Sequence, residues 1–167
     1  MLHTLTVPYT VGNDLGRTRW FMGGLLKILA TSADTDGHFA LIEAQLRQGF
    51  EPPRHLHTLE DESFYVLEGE MLFIVGEATS HLKAGDFIHL PRHVAHEYRL
   101  LTPTARYLMH LAPAGLEQMF ELLSMPAERN ELPPLPTGPP SPEMLQRIGE
   151  VQRGLGIEMQ QARIFGH

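Results

Sequence analysis

The sequence contains no cysteine among its 167 residues. Disulfide bonds, thiolate metal ligands and cysteine nucleophiles are therefore excluded. No apolar run approaches the roughly 18 residues that a membrane-spanning helix requires. The first residues also lack a basic segment followed by a long apolar one, which is the pattern of a secretion signal. We therefore expect a soluble cytoplasmic protein with no membrane partner.

Basic residues are also few. Lysine and arginine together number 13 against 20 aspartates and glutamates, which gives a formal net charge of −7. The basic residues are scattered singly along the chain, and an acidic protein repels a phosphate backbone. We therefore expect no nucleic-acid partner and look for a small molecule instead.

Eight short segments between residues 26 and 111 are predicted to be β-strands. They are rich in Val, Ile, Leu, Phe and Tyr, and turn residues such as Gly49, Gly69 and Gly85 separate them. The segments are Leu26–Thr31, Phe39–Leu46, Phe64–Leu67, Met71–Val75, Thr79–Leu82, Phe87–Leu90, Glu97–Leu101 and Arg106–Leu111. Because no helical period lies between them, this pattern indicates an all-β sandwich or small barrel.

The pattern becomes helical after Pro113. One apolar helix face is predicted from Leu116 to Leu123, and a segment with seven prolines follows between Pro126 and Pro142. Ser141 then has the character of an N-cap for a second helix that ends near Gly154. We predict a barrel over residues 1–113 and a helical, proline-rich tail over residues 114–167 that packs on the barrel.

Four residues have the spacing and chemistry of metal ligands. His55 and His57 are two positions apart, so on an extended strand both imidazoles point to one face. Glu62 follows five residues later, and His96 stands at the start of another predicted strand. Three neutral imidazoles and one carboxylate suit a divalent transition metal and leave one or two coordination positions open.

These residues fall into two motifs that resemble those of the cupin superfamily. The first family motif (Gly, five residues, His-x-His, three or four residues, Glu, six residues, Gly) matches at Gly49, His55, His57, Glu62 and Gly69. The motifs occupy residues 49–69 and 85–100. In the second, Gly85, Pro91 and His96 match, whereas His93 replaces a glycine and Leu100 replaces an asparagine. Neither replaced position is a metal ligand in the family.

The resemblance implies a cupin fold, which is a double-stranded β-helix or jelly-roll barrel. It also implies one divalent metal ion (Fe, Mn, Ni, Co, Cu or Zn) held by His55, His57, Glu62 and His96, and a homodimer. The helix-bearing tail is similar to that of small bacterial cupins that resemble quercetin dioxygenases. Two alternatives stay open for the site. The barrel has lost its ion, or Glu62 points away and pairs with Arg54 or Arg92.

The lining of a substrate pocket follows from strand periodicity. If Glu62 faces inward, so does Phe64, and if His96 faces inward, so does Tyr98. Such a pocket is mostly apolar and carries one phenol, which suits a small aromatic or amphipathic ligand. The alternative is that these side chains fill the barrel.

Three functions are compatible with this sequence, because one fold hosts many activities. The first is an oxygenase of the quercetin-dioxygenase-like kind, in which Glu62 serves as the catalytic base. The second is an isomerase or lyase that uses the metal as a Lewis acid, without redox chemistry. The third is a module that binds or senses a ligand without turnover. The single domain, the four-residue gap between His57 and Glu62 and the apolar pocket favour the first.

Overall fold

The structure is a computed structural model that describes residues 7–161. Residues 1–6 and 162–167, which belong to the predicted barrel and tail segments, lie outside the described residues. The strands are β1 (Thr18–Phe21), β2 (Gly24–Ala30), β3 (Ala40–Arg47), β4 (His55–His57), β5 (Asp61–Glu68), β6 (Glu70–Val75), β7 (Ala78–Lys83), β8 (Phe87–Leu90), β9 (His96–Leu100), β10 (Thr104–Ala112), β11 (Met125–Pro126) and β12 (Ile157–Met159). The helices are α1 (Ser32–Thr35), α2 (Glu117–Leu123) and α3 (Pro142–Gly154). None of these helices is long and apolar enough to cross a bilayer.

The strands form two antiparallel sheets. The seven-stranded sheet has the order β11-β1-β2-β3-β10-β5-β8, and the five-stranded sheet has the order β12-β4-β9-β6-β7. Buried and less buried residues alternate along β3 and β10, as expected for strands with one face in a core. The inner faces supply a continuous apolar core in which Phe64, Phe73 and Leu111 are almost fully buried.

All eight predicted strands are present, so the predicted all-β fold is confirmed. Four further strands, β1, β4, β11 and β12, were not predicted. All four contain only two to four residues, and β4 consists of His55, Leu56 and His57. Strands this short have no readable alternation, and long-range pairing holds them in place.

The segment after Pro113 contains both predicted helices and two of the unpredicted strands. α3 begins after Ser141, whose side chain accepts a hydrogen bond from the Met144 backbone N–H, and it ends at Gly154. β11 pairs with β1 in the larger sheet, and β12 pairs with β4 in the smaller one. The segment therefore adds a strand to each sheet, in addition to its helices. The domain boundary at residue 113 stays a prediction.

A buried carboxylate joins α1 to the start of α2. Glu117 is fully buried, and its two oxygens accept hydrogen bonds from the backbone N–H groups of Ser32 (2.8 Å) and Gly115 (2.6 Å). Both oxygens of this carboxylate therefore have a partner. Glu117 is not one of the four candidate metal ligands and lies well after them in the sequence.

An ion pair attaches α1 to the chain that precedes β1. Asp34 accepts two hydrogen bonds from the Arg17 guanidinium, at 2.7 and 3.0 Å, and one from the backbone N–H of the N-cap residue Thr31. The Arg17 guanidinium holds the pKa of Asp34 well below its ordinary range. Asp34 is therefore ionised throughout the neutral and mildly acidic range, and the pair stabilises the folded chain there.

We predict that Asp34→Asn lowers the free energy of unfolding by about 1 kcal/mol at pH 7, since Arg17 is partly exposed and loses one charged partner. The folded pKa of Asp34 lies below its unfolded value. The stabilisation is therefore present above the unfolded pKa of about 3.9 and is lost as the pH falls through the folded pKa. Urea denaturation of both proteins at pH 7 and pH 3 measures this change. The difference should shrink at the lower pH, and an equal difference at both pH values would contradict the prediction.

Candidate metal centre

The structure brings His55, His57, Glu62 and His96 together between the two sheets. The histidines belong to β4 and β9 of the smaller sheet, where His55 and His96 are register partners, and Glu62 belongs to β5 of the larger one. One donor atom from each residue lies within 4.8 Å of the others, and all four side chains are buried. Arg54 pairs with Glu97 and Arg92 with Asp61, which leaves Glu62 to the imidazoles.

Each histidine has an acceptor beside its Nδ1 atom. Nδ1 of His55 lies 2.8 Å from the carbonyl oxygen of Pro53, and Nδ1 of His96 lies 3.1 Å from that of Val94. Nδ1 of His57 instead lies 2.6 Å from a carboxylate oxygen of Glu60, a close ionic contact without the alignment of a hydrogen bond. With Nδ1 facing these acceptors, Nε2 is the atom of each ring that can bind a metal ion, and at His57 the ion would displace a proton from it.

The free Nε2 atoms point toward Glu62. Nε2 of His96 lies 3.3 Å and Nε2 of His57 3.5 Å from the same carboxylate oxygen. Among the described residues, neither nitrogen has a hydrogen-bond partner, although both are buried. Buried nitrogen atoms that lack a partner are costly. A divalent cation bound between these atoms would satisfy them.

The ionisation of the cluster reflects its burial. Burial lowers the pKa of His55 to about 4, and the neighbouring His96 adds to that effect. Burial would also lower the pKa of His57, but its contacts with Glu60 and Glu62 outweigh burial and raise it to about 9. Burial would raise the pKa of Glu62, yet His57 and His96 hold it well below its ordinary range. Glu62 is therefore a carboxylate at neutral pH, as a metal ligand must be.

The donor set fits a borderline divalent ion. It combines three imidazoles, which suit Fe, Co, Ni, Cu and Zn, with one carboxylate oxygen. Two buried carboxylates, Glu60 and Glu62, lie at the same imidazole, and a doubly charged cation would balance them. The cluster can therefore hold a metal ion, whose identity these residues do not select.

A cavity of about 410 Å³ opens from the cluster. Among the described residues, none of those that line it is a lysine or an arginine. Phe64 and Tyr98 line it, as do His55, His57 and Glu62. Its other walls come from the inner faces of both sheets and from the two longer helices, including Phe21, Leu26, Leu46, Phe50, Tyr107, Met109, Leu116, Phe120, Leu145, Ile148 and Gln152. A pocket of this size and character suits an uncharged organic molecule.

Two phenols form a pair in the cavity wall. The hydroxyl groups of Tyr98 and Tyr107 lie 3.0 Å apart, in side chains that are almost fully buried. Burial raises the pKa of both phenols, so both are protonated at neutral pH. A pair of hydroxyl groups shares one proton in its mutual hydrogen bond, and the second proton can be donated to a ligand.

The turn before β9 accommodates the departure from the second cupin motif. His93, which replaces the family's glycine, has a φ of 64° and so retains the left-handed conformation that a glycine would adopt. Its backbone N–H donates to the carbonyl oxygen of His57 at 2.7 Å. Leu100, which replaces the asparagine, is buried in the core. The two replacements therefore leave the arrangement of the ligand strands intact.

Several residues of the site have no signal in the sequence. Glu60 lies inside the variable gap of the first motif, and Tyr107 is one of many aromatic residues in the strands. The apolar face of α3 is predicted, but the cavity that Leu145 and Ile148 cover is not. In the structure, the pairing of β12 with β4 shows that the tail reaches the strand of His55 and His57.

Comparison with known proteins identifies the family. The Cupin domain profile matches residues 43–111, a range that includes all four donor residues. Quercetin 2,3-dioxygenase from Bacillus subtilis (strain 168) is 30% identical over 142 residues, which cover 85% of this chain and 42% of that protein. The chain thus spans less than half the length of this curated relative.

Solved structures resemble the fold. KdgF from Halomonas sp. aligns with a TM-score of 0.58 and 18% identity, over 68% of this chain and 99% of its own. Pac13 from Streptomyces, a nucleoside dehydratase, aligns with a TM-score of 0.53 and 17% identity, over 66% of this chain and 88% of its own. The two motifs, the paired sheets and these likenesses agree, and the chain belongs to the cupin superfamily.

Proposed function

We propose that this protein is a metal-dependent cupin enzyme that oxygenates a small, uncharged and largely apolar organic substrate. The observation that carries the proposal is the cluster of three imidazoles and one carboxylate at the wall of an apolar cavity. Its likeness to a quercetin 2,3-dioxygenase supports oxygenase chemistry in particular.

His55, His57, Glu62 and His96 are the residues that would hold the ion. A bound transition metal supplies Lewis acidity and, where it is redox-active, one-electron chemistry toward dioxygen. The protein holds the three imidazoles with Nε2 toward the centre through the acceptors at their Nδ1 atoms. A site of this kind binds an ion without first reorienting its ligands.

The side chains that line the cavity bear on the kind of substrate it can bind. Since no lysine or arginine lines it among the described residues, a phosphate or carboxylate group away from the metal would have no cationic side chain as a partner there. Phe64 offers an aromatic face, and Tyr98 offers a hydroxyl group near the cluster. α3 covers part of the cavity through Leu145 and Ile148, although Leu145 keeps 54% of its surface exposed. We infer that the substrate is an aromatic or similarly flat molecule with an oxygen-bearing end.

Glu62 is the proposed catalytic base. Its carboxylate is ionised, lines the cavity and lies beside two of the ligand nitrogens. A substrate hydroxyl group that enters beside it would find an acceptor for its proton. The Tyr98–Tyr107 pair would donate a hydrogen bond to the resulting oxyanion.

The phenol pair also favours a second function. Two protonated hydroxyl groups beside a metal centre could protonate a leaving group, as an isomerase or lyase without redox chemistry requires. Such an enzyme would turn over without dioxygen. A ligand-binding module without turnover would bind the same molecules and convert none of them.

We predict that the metal-loaded protein consumes dioxygen when supplied with quercetin or a related aromatic diol, measured with an oxygen electrode. Loading should be tested separately with Fe²⁺, Mn²⁺, Co²⁺ and Ni²⁺, and chelation should abolish the uptake. Product that forms equally under nitrogen would contradict the oxygenase and favour the isomerase or lyase. Saturable binding without product would favour the binding module.

We predict that Glu62→Gln lowers turnover by roughly 10²–10⁴-fold, the usual contribution of general base catalysis. The amide keeps the shape and one oxygen ligand but removes the basicity. Rate and metal content should be measured on the same sample, because excess metal should not restore the rate if Glu62 is a base. Glu117→Gln is the matched control, since it replaces a buried carboxylate outside the cluster. Full recovery with added metal would show that Glu62 is only a ligand.

We predict close to one divalent ion per chain in the purified protein, measured by elemental analysis. His57→Ala should lose most of this metal, because each donor contributes to an affinity that depends on the complete set. His81→Ala is the control, since His81 is exposed and pairs with Glu70 at the surface. Full occupancy in His57→Ala would exclude His57 as a ligand.

The homodimer implied by the resemblance is also a proposal. Support comes from the outer face of the seven-stranded sheet, where Tyr65 of β5 and Phe87 of β8 are register partners that remain 43% and 63% exposed. Adjacent exposed aromatic residues are typical of contact surfaces between chains. Light scattering should give twice the chain mass, and a mass near 18.8 kDa would exclude the dimer.

A further inference from the structure

The partner of His57 differs in kind from the partners of the other two histidines. Nδ1 of His55 and Nδ1 of His96 each face a backbone carbonyl oxygen two residues earlier in the chain. Nδ1 of His57 faces the Glu60 carboxylate, and both side chains are only 3% exposed. A buried carboxylate is costly unless a charge or a hydrogen bond compensates it, so its place beside one imidazole calls for a physical role.

Glu60 lies beside the cluster without belonging to it. Nε2 of His57 points toward Glu62, whereas Glu60 lies at the Nδ1 edge of the same ring. The group of donor atoms that lie within 4.8 Å of one another contains Glu62 and not Glu60. Glu60 is therefore not among the atoms that could coordinate an ion directly, and its contact with the cluster is made through the His57 ring.

The turn that carries Glu60 is held on both sides. Arg92 donates hydrogen bonds to the carbonyl oxygen of Leu59 at 2.9 Å and to the carboxylate of Asp61 at 3.0 and 3.2 Å. It therefore binds the residues immediately before and after Glu60. Thr58 donates both its backbone N–H and its hydroxyl group to the carbonyl oxygen of Gly156, each at 2.9 Å. Gly156 has a φ of 74°, and a Cβ there would overlap the Thr58 hydroxyl group. Contacts from two distant segments thus keep the turn in place.

We propose that Glu60 is a positioning residue for the metal ligand His57. Its carboxylate holds the proton on Nδ1, keeps Nε2 free to bind and makes that nitrogen more electron-rich by placing a negative charge at the opposite edge of the ring. Removing such an outer partner of a ligating histidine typically weakens metal binding 10- to 100-fold. The inference rests on the proposed metal function and extends it to a residue within the variable gap of the motif.

The test is a Co²⁺ titration of metal-free protein in competition with a chromophoric chelator, which requires no substrate. Glu60→Gln keeps the size and an acceptor oxygen but removes the charge, and we expect it to bind Co²⁺ about 10- to 100-fold more weakly than the unaltered protein. Binding within twofold of the unaltered protein would overturn the proposal. If the unaltered protein binds no Co²⁺, the proposed metal function fails as well.

A matched control separates positioning from general destabilisation. Glu117→Gln also replaces a fully buried carboxylate, one that lies outside the donor group and bonds to Ser32 and Gly115, and its Co²⁺ affinity should stay within twofold of the unaltered protein. Thermal unfolding in the presence of chelator shows whether each variant is folded. An equal loss of affinity in Glu117→Gln would overturn the assignment to Glu60.

A double-mutant cycle tests whether Glu60 acts through His57. In a His57→Ala background, Glu60→Gln should change the residual Co²⁺ affinity by less than about twofold, because the ring that transmits its effect is gone. The same 10- to 100-fold loss in both backgrounds would overturn the proposal. If Glu60→Gln does not fold, Glu60→Asp is the second variant. It keeps the charge but has a shorter side chain, and it should bind Co²⁺ more weakly than the unaltered protein. An affinity equal to that of the unaltered protein in Glu60→Asp would then contradict the need for close contact.

Discussion

The central constraint on this molecule is that two sheets must meet at one cluster of buried donor atoms. Three imidazoles come from the smaller sheet and one carboxylate from the larger, so their separation depends on how the sheets pack. Buried donors are tolerated only when each has a partner. The apolar core around Phe64 and Phe73 fixes the distance between the sheets, and the cluster takes its geometry from that core.

The strand that carries two of the candidate ligands pairs only briefly with its neighbour β9. β4 has three residues and a single register pair with β9, between His55 and His96. Its other edge is covered by β12, in which Ile157 pairs with His57 and Met159 with His55. The tail thus stabilises the ligand strand directly, while its helix α3 covers part of the cavity in front of it. One segment of chain therefore contacts both the strand of the candidate metal ligands and the cavity beside them.

Much of this arrangement could be predicted from the sequence, because it depends on local patterns. Residue composition and the turn residues between segments predict eight strands, and the shared direction of His55 and His57 follows from the period of two. The spacing of Glu62 and His96 became interpretable through the resemblance to cupins. Glu60 could not be predicted, because its contact with His57 depends on a turn that Arg92 and Gly156 hold from outside. The cavity that the apolar face of α3 covers could not be predicted either, since periodicity indicates that a helix has an apolar face but not which part of the protein it contacts.

The pairing of β12 with β4 also has a consequence for how the chain folds. Ile157 and His57 are separated by more than half of the sequence. Closing so long a loop costs chain entropy before the strands pair, so we expect this pairing to form late in folding. Until then one edge of the ligand strand is open, and an open edge invites pairing with another chain. We therefore expect changes near residue 157 to lower the yield of correctly folded protein as well as the stability of the finished barrel.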